Sequence, residues 1–337
     1  MKNTRKMIAL ITILMISLTF AACKASDPAS DTAEGHSGGS GPVTLNIGYS
    51  YGLAYAPLVL CQEKQLIEKA YSELTGNTVH VVWNQIGSGA DINTGMASGS
   101  LDVGFLGIGP VITGASKNDG FKIFTNLSGQ EHGLMTSNPD ISSLGDLIGS
   151  TNQIALPNTG SIQHIILGMA LEANGYDAHA LDSNLVALKH PDGMAALESG
   201  NVSCNLTTNP YIYIECKNKE LHELDEVKNV WTADRSFIVG VTSTSLHDDN
   251  PDLYQALCSA VSESIDLVNN DLEAAAKITC KYDGNSYEDE LLYLRKGNYS
   301  ASVKGILSFA KFMYKNKFLE KDIASLSELA FDNVSGD

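Results

Sequence analysis

Gly99-Ser100-Leu101-Asp102-Val103-Gly104-Phe105-Leu106-Gly107 contains a short apolar strand, 103–106, that opens into a turn bearing glycines at 107–110. The same unit recurs on both sides of it. Strands are expected at 45–49, 79–83, 122–127, 153–156, 185–188 and 202–206, with helices filling most of the gaps between them. Short apolar runs alternating with helical stretches mark an α/β protein with mainly parallel strands.

The helical stretches have one-sided patterns. Over 56–71, Leu58, Val59, Gln62, Leu66 and Ala70 fall near one face, while Glu63, Lys64, Glu68 and Lys69 fall largely on the other. That spacing predicts a single surface helix covering a sheet. A second helix is expected over 161–173, with Ile162, Ile165, Ile166, Met169 and Ala170 as its buried stripe and Gly175 just past its end. The C-terminal third has long helical patterns at 253–278 and 303–314 without strands between them, which read as packing helices.

The N-terminus carries Lys2, Arg5 and Lys6, then an uncharged apolar run over 7–22, then Cys23. The run is shorter than the ~20 residues of a membrane span, so 1–22 reads as a secretory signal peptide. Phe20-Ala21-Ala22-Cys23 resembles a bacterial lipobox, which implies lipidation of Cys23 and a membrane attachment through that lipid. Residues 23–43, rich in Gly, Ser, Thr and acidic side chains, read as a flexible tether. The formal charge of −17 becomes −20 without the three signal-peptide cations, which argues against nucleic acid as a partner. Five further cysteines, Cys61, Cys204, Cys216, Cys258 and Cys280, show no zinc-like spacing. Cys204 and Cys216 could form a disulfide in an oxidising compartment, but scattered core cysteines fit the spacing better.

Four segments, in order, resemble the nitrate/sulfonate/taurine branch of ABC transporter solute-binding proteins. They are Asn46-Ile47-Gly48-Tyr49 leading to Tyr55-Ala56-Pro57-Leu58; Gly99 to Gly107, similar to the family's G-x-x-D-x-G strand entry; Ile154-Ala155-Leu156-Pro157 leading to Thr159-Gly160-Ser161-Ile162-Gln163-His164; and Met194 to Gly200 before a strand ending at Thr208-Asn209-Pro210-Tyr211. The resemblance implies an α/β, two-lobed type II periplasmic-binding-protein fold, each lobe a mixed sheet flanked by helices, joined by two crossover strands. Lobe 1 is expected at 44–131 and 239–332, and lobe 2 at 132–238, with crossings near 131–135 and 237–241. The implied function is the extracytoplasmic capture of a small organic anion, an aliphatic sulfonate or taurine-like compound, by a monomer that delivers it to an ABC permease and ATPase. Neither a cofactor nor a metal is implied.

In α/β sheets, ligands bind beyond the carboxyl ends of strands, where helix N-termini offer free amides. Five strand-to-helix turns supply the candidates: Ser50, Tyr51 and Tyr55; Gly87 and Ser88; Gly107, Ile108 and Gly109; Asn158, Thr159, Gly160 and Ser161; Asn209 and Tyr211. Ser88 and Ser161 could equally be helix N-caps. The tyrosines offer flat surfaces with a hydroxyl handle. Arg235, before the second crossing, is a candidate guanidinium for an anion, although a hinge salt bridge is the plainer reading. His132 beside Glu131, with His164, could hold a divalent ion, but no H-x-x-x-H or H-E-x-x-H pairing supports it. No G-x-S-x-G or G-x-x-x-x-G-K suggests an enzyme. A pyrimidine-type vitamin precursor as ligand, and a sensor ectodomain in place of a transport component, remain as alternatives.

Overall fold

The computed structural model describes residues 43–337. The signal peptide, Cys23 and nearly all of the tether lie outside the described residues. Eleven strands form two sheets among the described residues. β1 (Val43–Tyr49), β2 (Val79–Gln85), β3 (Val103–Gly107) and β4 (Phe121–Gly129) belong to the first sheet. β5 (His132–Thr136), β6 (Ile154–Leu156), β7 (Leu185–Ala187), β8 (Cys204–Thr208) and β9 (His222–Leu224) form the second. β10 (Ile238–Ser243) and β11 (Asn298–Tyr299) return to the first, giving the orders β11-β4-β10-β3-β1-β2 and β7-β6-β8-β5-β9. The chain thus passes between sheets twice, once over the two residues that separate β4 from β5 and once between β9 and β10.

The helices are α1 (Ala56–Lys64), α2 (Leu66–Thr75), α3 (Gly89–Ser98), α4 (Ile108–Ser116), α5 (Ile162–Ala173) and α6 (His190–Glu198), then α7 (Tyr211–Glu215), α8 (Thr244–Asp249), α9 (Pro251–Asn270), α10 (Leu272–Asp283), α11 (Tyr287–Leu294) and α12 (Ile306–Lys315). None of them is long and apolar enough to cross a membrane.

The segment 99–107 earns its place at the sheet's centre. Asp102 Oδ2 accepts the Asn46 backbone N–H at 2.7 Å and its side-chain amide at 3.1 Å, tying the start of β3 to β1. β3 is buried along its whole length, as a strand covered on both faces must be. β10 runs antiparallel between β3 and β4, because it arrives from the other sheet rather than through a helix of its own. Gly240 in β10 leaves room for Phe105 and Phe124: a Cβ there would meet both rings at 2.7 Å, and the rings pack edge to face with centroids 5.7 Å apart.

Two sequence expectations need correction. The helix expected over 56–71 is two helices, because Gln65 adopts a left-handed conformation (φ 52°) that ends α1 and starts α2. The break lets both Leu58 and Ile67 bury, and α1 and α2 both pack on α9. The pattern over 253–278 likewise divides at Asp271, whose side chain caps α10 by accepting the Ala274 N–H at 2.9 Å. Cys204 is buried, Cys216 is exposed, and neither is in a disulfide.

Candidate functional site

Helices α3, α4, α5 and α6 all begin at one cavity between the two sheets. Ser50, Tyr51, Tyr55, Ser88 and Gly107 line it from the first-sheet side, and Asn158, Ser161, Gln163, His190 and Thr208 from the second-sheet side. Phe237 and Ile238, entering β10, form part of its floor. The cavity measures about 40 Å3, room for roughly three water molecules. No Lys, Arg, Asp or Glu lines it among the described residues.

Ser88 and Ser161 are both N-caps and both cavity residues. Ser88 Oγ accepts the Asp91 N–H at 3.2 Å and donates to Asp91 Oδ2 at 2.8 Å. Ser161 Oγ accepts the His164 N–H at 3.2 Å. Capping fixes each helix start at the cavity, and the positive end of a helix dipole favours negative charge there. Asn158 donates to the Thr159 carbonyl at 2.8 Å, while its own Oδ1 is buried without a partner.

His190 and Gln163 were not anticipated. His190 opens α6, where Pro191 marks a helix start, so the 189–192 turn is a sixth member of the series that the sequence offered. Burial alone lowers the His190 pKa to about 4, so the ring is neutral at physiological pH. The Gln163 amide lies 3.2 Å from His190 Nε2; with that nitrogen as acceptor, the ring proton sits on Nδ1. Tyr211 stacks on the His190 ring at 5.5 Å, outside the lining itself. Burial raises the hydroxyl pKa of Tyr55, so it remains a neutral donor.

Several expected site residues sit elsewhere. Asn209 is fully buried beneath the cavity wall, donating to Gln130 Oε1 at 3.0 Å and to the Tyr293 carbonyl at 2.9 Å. Gly109 touches the Gly160–Ile162 backbone, with a Cβ position 3.2 Å from the Gly160 carbonyl, so it serves close approach of the two halves. Thr159 and Gly160 face an outer groove, and Gly87 and Ile108 flank cavity residues without lining the space. Arg235 is a clear correction: its guanidinium lies 4.8 Å from the Trp231 ring and 3.4 Å from Ser308 Oγ, on an outer face. At this crossing Phe237 and Ile238 line the cavity instead.

A larger hollow of about 510 Å3 adjoins the inter-sheet connections, lined by charges of both signs, Glu131, Glu223, Lys228 and Lys296. His132 borders it; His164 instead pairs with Asp182, so the two histidines do not act together. Among the described residues no group of three His, Cys, Asp or Glu side chains is placed to hold a metal.

A family model, the NMT1-like family, matches residues 38–282. Comparison with curated protein sequences finds no match. Among solved structures, the alkanesulfonate-binding protein SsuA from Xanthomonas axonopodis pv. citri, bound to MOPS, is 16% identical with a TM-score of 0.71, over 87% of this chain and 99% of that one. The aliphatic sulphonate binding protein SsuA from Escherichia coli is 19% identical, TM-score 0.64, over 88% and 94%. The nitrate-binding protein NrtA from Synechocystis PCC 6803 is 14% identical, TM-score 0.69, over 87% and 86%. These likenesses identify the periplasmic-binding-protein fold.

Proposed function

Because the chain belongs to the NMT1-like family and has the periplasmic-binding-protein fold, we propose that it is the extracytoplasmic solute-binding component of an ABC importer, closing two lobes on a small organic anion. The lobes are 44–131 with 239–332, and 132–238, hinged at the two inter-sheet connections. The observation that carries the anion is the ring of four helix starts around a cavity without charged side chains. Helix-start dipoles attract negative charge, and with neither Lys nor Arg in the lining no point charge ties the site to one headgroup geometry. A sulfonate, with three acceptor oxygens on a small organic body, suits such a ring, and the ligands of the two SsuA neighbours point the same way.

The cavity is too small for an organic ligand as it stands, so the lobes part to admit one and come to rest around it less tightly than they stand here. Anchorage outside the cell through a lipidated Cys23 completes the reading: Cys23→Ser should release the chain from membranes into the medium.

Calorimetry of the mature protein against taurine, ethanesulfonate, nitrate and a hydroxymethyl pyrimidine tests the ligand class. Binding of ethanesulfonate or taurine in preference to the others is expected. Preference for the pyrimidine would transfer the site to a flat heterocycle, using the His190–Tyr211 stack.

A further inference from the structure

Two histidines share one carboxylate where the second sheet's helices meet the C-terminal helix. Asp182 lies in the 3-10 turn (Asp182–Asn184) before β7. Its Oδ1 is 2.9 Å from His164 Nε2 and its Oδ2 is 2.8 Å from His179 Nδ1. His164 Nδ1 accepts the Gly160 N–H at 2.9 Å, so the His164 proton must sit on Nε2, donated to Asp182. His179 Nε2 lies 2.6 Å from the carbonyl of Asn316, in the turn after α12. A carbonyl and a carboxylate only accept, so His179 must donate from both nitrogens. Only the imidazolium does that.

The partners come from opposite sides of the molecule. Asn316 and Phe318 follow α12, which packs on α4 beside the first sheet. His164 lies on α5, and His179 and Asp182 on the loop between β6 and β7, beside the second. Phe318 lies on the His179 ring at 4.1 Å and meets His164 edge-on at 5.2 Å.

We propose that these groups form a proton-linked latch: protonated His179 holds the lobes together through Asn316 and, through Asp182 and His164, fixes the Gly160 turn beside the ligand cavity. The inference rests on the two-lobe closure proposed above. His164 and Asp182 are positioning residues for that turn.

The surroundings agree with these proton positions. Burial holds His164 below its ordinary pKa against the pull of Asp182, keeping it neutral. Burial also pulls His179 down, but the Asn316 carbonyl and the Asp182 and Asp177 carboxylates outweigh it and leave its pKa raised. The other charged groups nearby are Lys315 and Glu172, an ion pair at 2.8 Å that also joins α12 to α5. A raised histidine contributes fully below its unfolded pKa of about 6.5 and loses that contribution as pH rises through the folded value. The latch is therefore closed at mildly acidic pH and weakens above neutrality.

The test uses the ligand-free mature protein, with the radius of gyration from small-angle scattering and the protection factor of the Gly160 amide from NMR. Between about pH 6 and about pH 8.5 the wild type should expand, and Gly160 protection should fall about tenfold. His179→Phe keeps a ring against Phe318 but cannot take a proton, and should abolish both pH responses. Asp182→Asn should uncouple them, leaving Gly160 poorly protected at every pH. Lys315→Ala, which breaks the neighbouring exposed ion pair, should keep both responses. A wild type indifferent to pH, or a His179→Phe variant with the wild-type profile, would overturn the latch; Gly160 protection that still follows pH in Asp182→Asn would overturn the relay. Because no ligand is present, a failure to bind ethanesulfonate bears on the ligand class alone.

Discussion

Gly107 shows how much a single missing side chain can decide. A Cβ on it would stand 2.9 Å from Ile162 Cγ2, across the cavity on the first turn of α5. Backbone conformation there (φ −61°, ψ 148°) suits any residue, so the glycine serves the approach of the two halves and not a strained turn. Gly107→Ala should weaken ligand binding about tenfold by blocking closure, while leaving the thermal midpoint within a degree or two; calorimetry with the best-binding ligand and a melting curve read the two effects separately. Glu215 shows the reverse, a side chain whose chemistry opposes its position. It is fully buried, holds the Asn205 amide at 2.7 Å, and burial pushes its pKa up to about 8. A carboxyl raised in the folded state contributes fully below its unfolded pKa of about 4.5 and costs stability as pH rises toward the folded value. Glu215→Gln should therefore stabilise the protein by about 2–4 kcal/mol near pH 8 and by little near pH 4, as denaturant melts at the two pH values would show. Ser88 and Ser161 were legible in the sequence as turn residues, and the structure makes each both cap and cavity wall. For Arg235 the plainer reading, a residue outside the site, is where the structure places it: its guanidinium packs on Trp231 and Ser308.

At the scale of elements, the sequence revealed type and order better than continuity. Seven of the eleven strands appeared as apolar runs near their true limits, helped where burial on both faces leaves a plain composition signal, as in β3, β6 and β8; β5 and β10 were read only as crossings, and β9 and β11 not at all. Gln65 broke a helix that the pattern treated as whole: its φ of 52° costs a non-glycine residue about 1 kcal/mol. The compensation is tertiary, with α1 and α2 turning to pack on α9, and no local window shows it. Gln65→Gly should keep both helices and raise stability by about 0.5 kcal/mol, the relief of strain less the added chain entropy; a lower urea midpoint would show the Gln65 side chain to matter more than its backbone. The 189–192 turn was overlooked although Lys189-His190-Pro191 carries a helix-start signal, because the strand before it is only three residues long.

For the whole molecule, the small cavity sets the kinetics. If ligand enters only after the halves part, the bound form is reached through a minor open state, and the observed association rate should level off at high ligand concentration. Stopped-flow fluorescence can follow this through Trp83, which meets Tyr49 edge-on at 6.1 Å just before the Ser50–Tyr55 turn. A rate that climbs linearly without limit would mean that the open form predominates. The two-sheet plan came from the resemblance of four ordered segments to a known family, while the strand-to-helix turns were legible because each is local in sequence; the latch was not, since it joins residues 160–182 to 316–318 with nothing in either segment to announce the other.

The insertion of β10 between β3 and β4 has a consequence for biosynthesis. A polypeptide delivered N-terminus first completes every strand of the second sheet by residue 224, whereas the first sheet, begun at residue 43, lacks its central member until residue 243 has emerged. Until then β3 waits unpaired along one edge and β4 along both, since β4 pairs only with β10 and β11. Such long-range pairing is slow and exposes sticky edges meanwhile, so maturation yield should depend more on β10 than on any strand that precedes it.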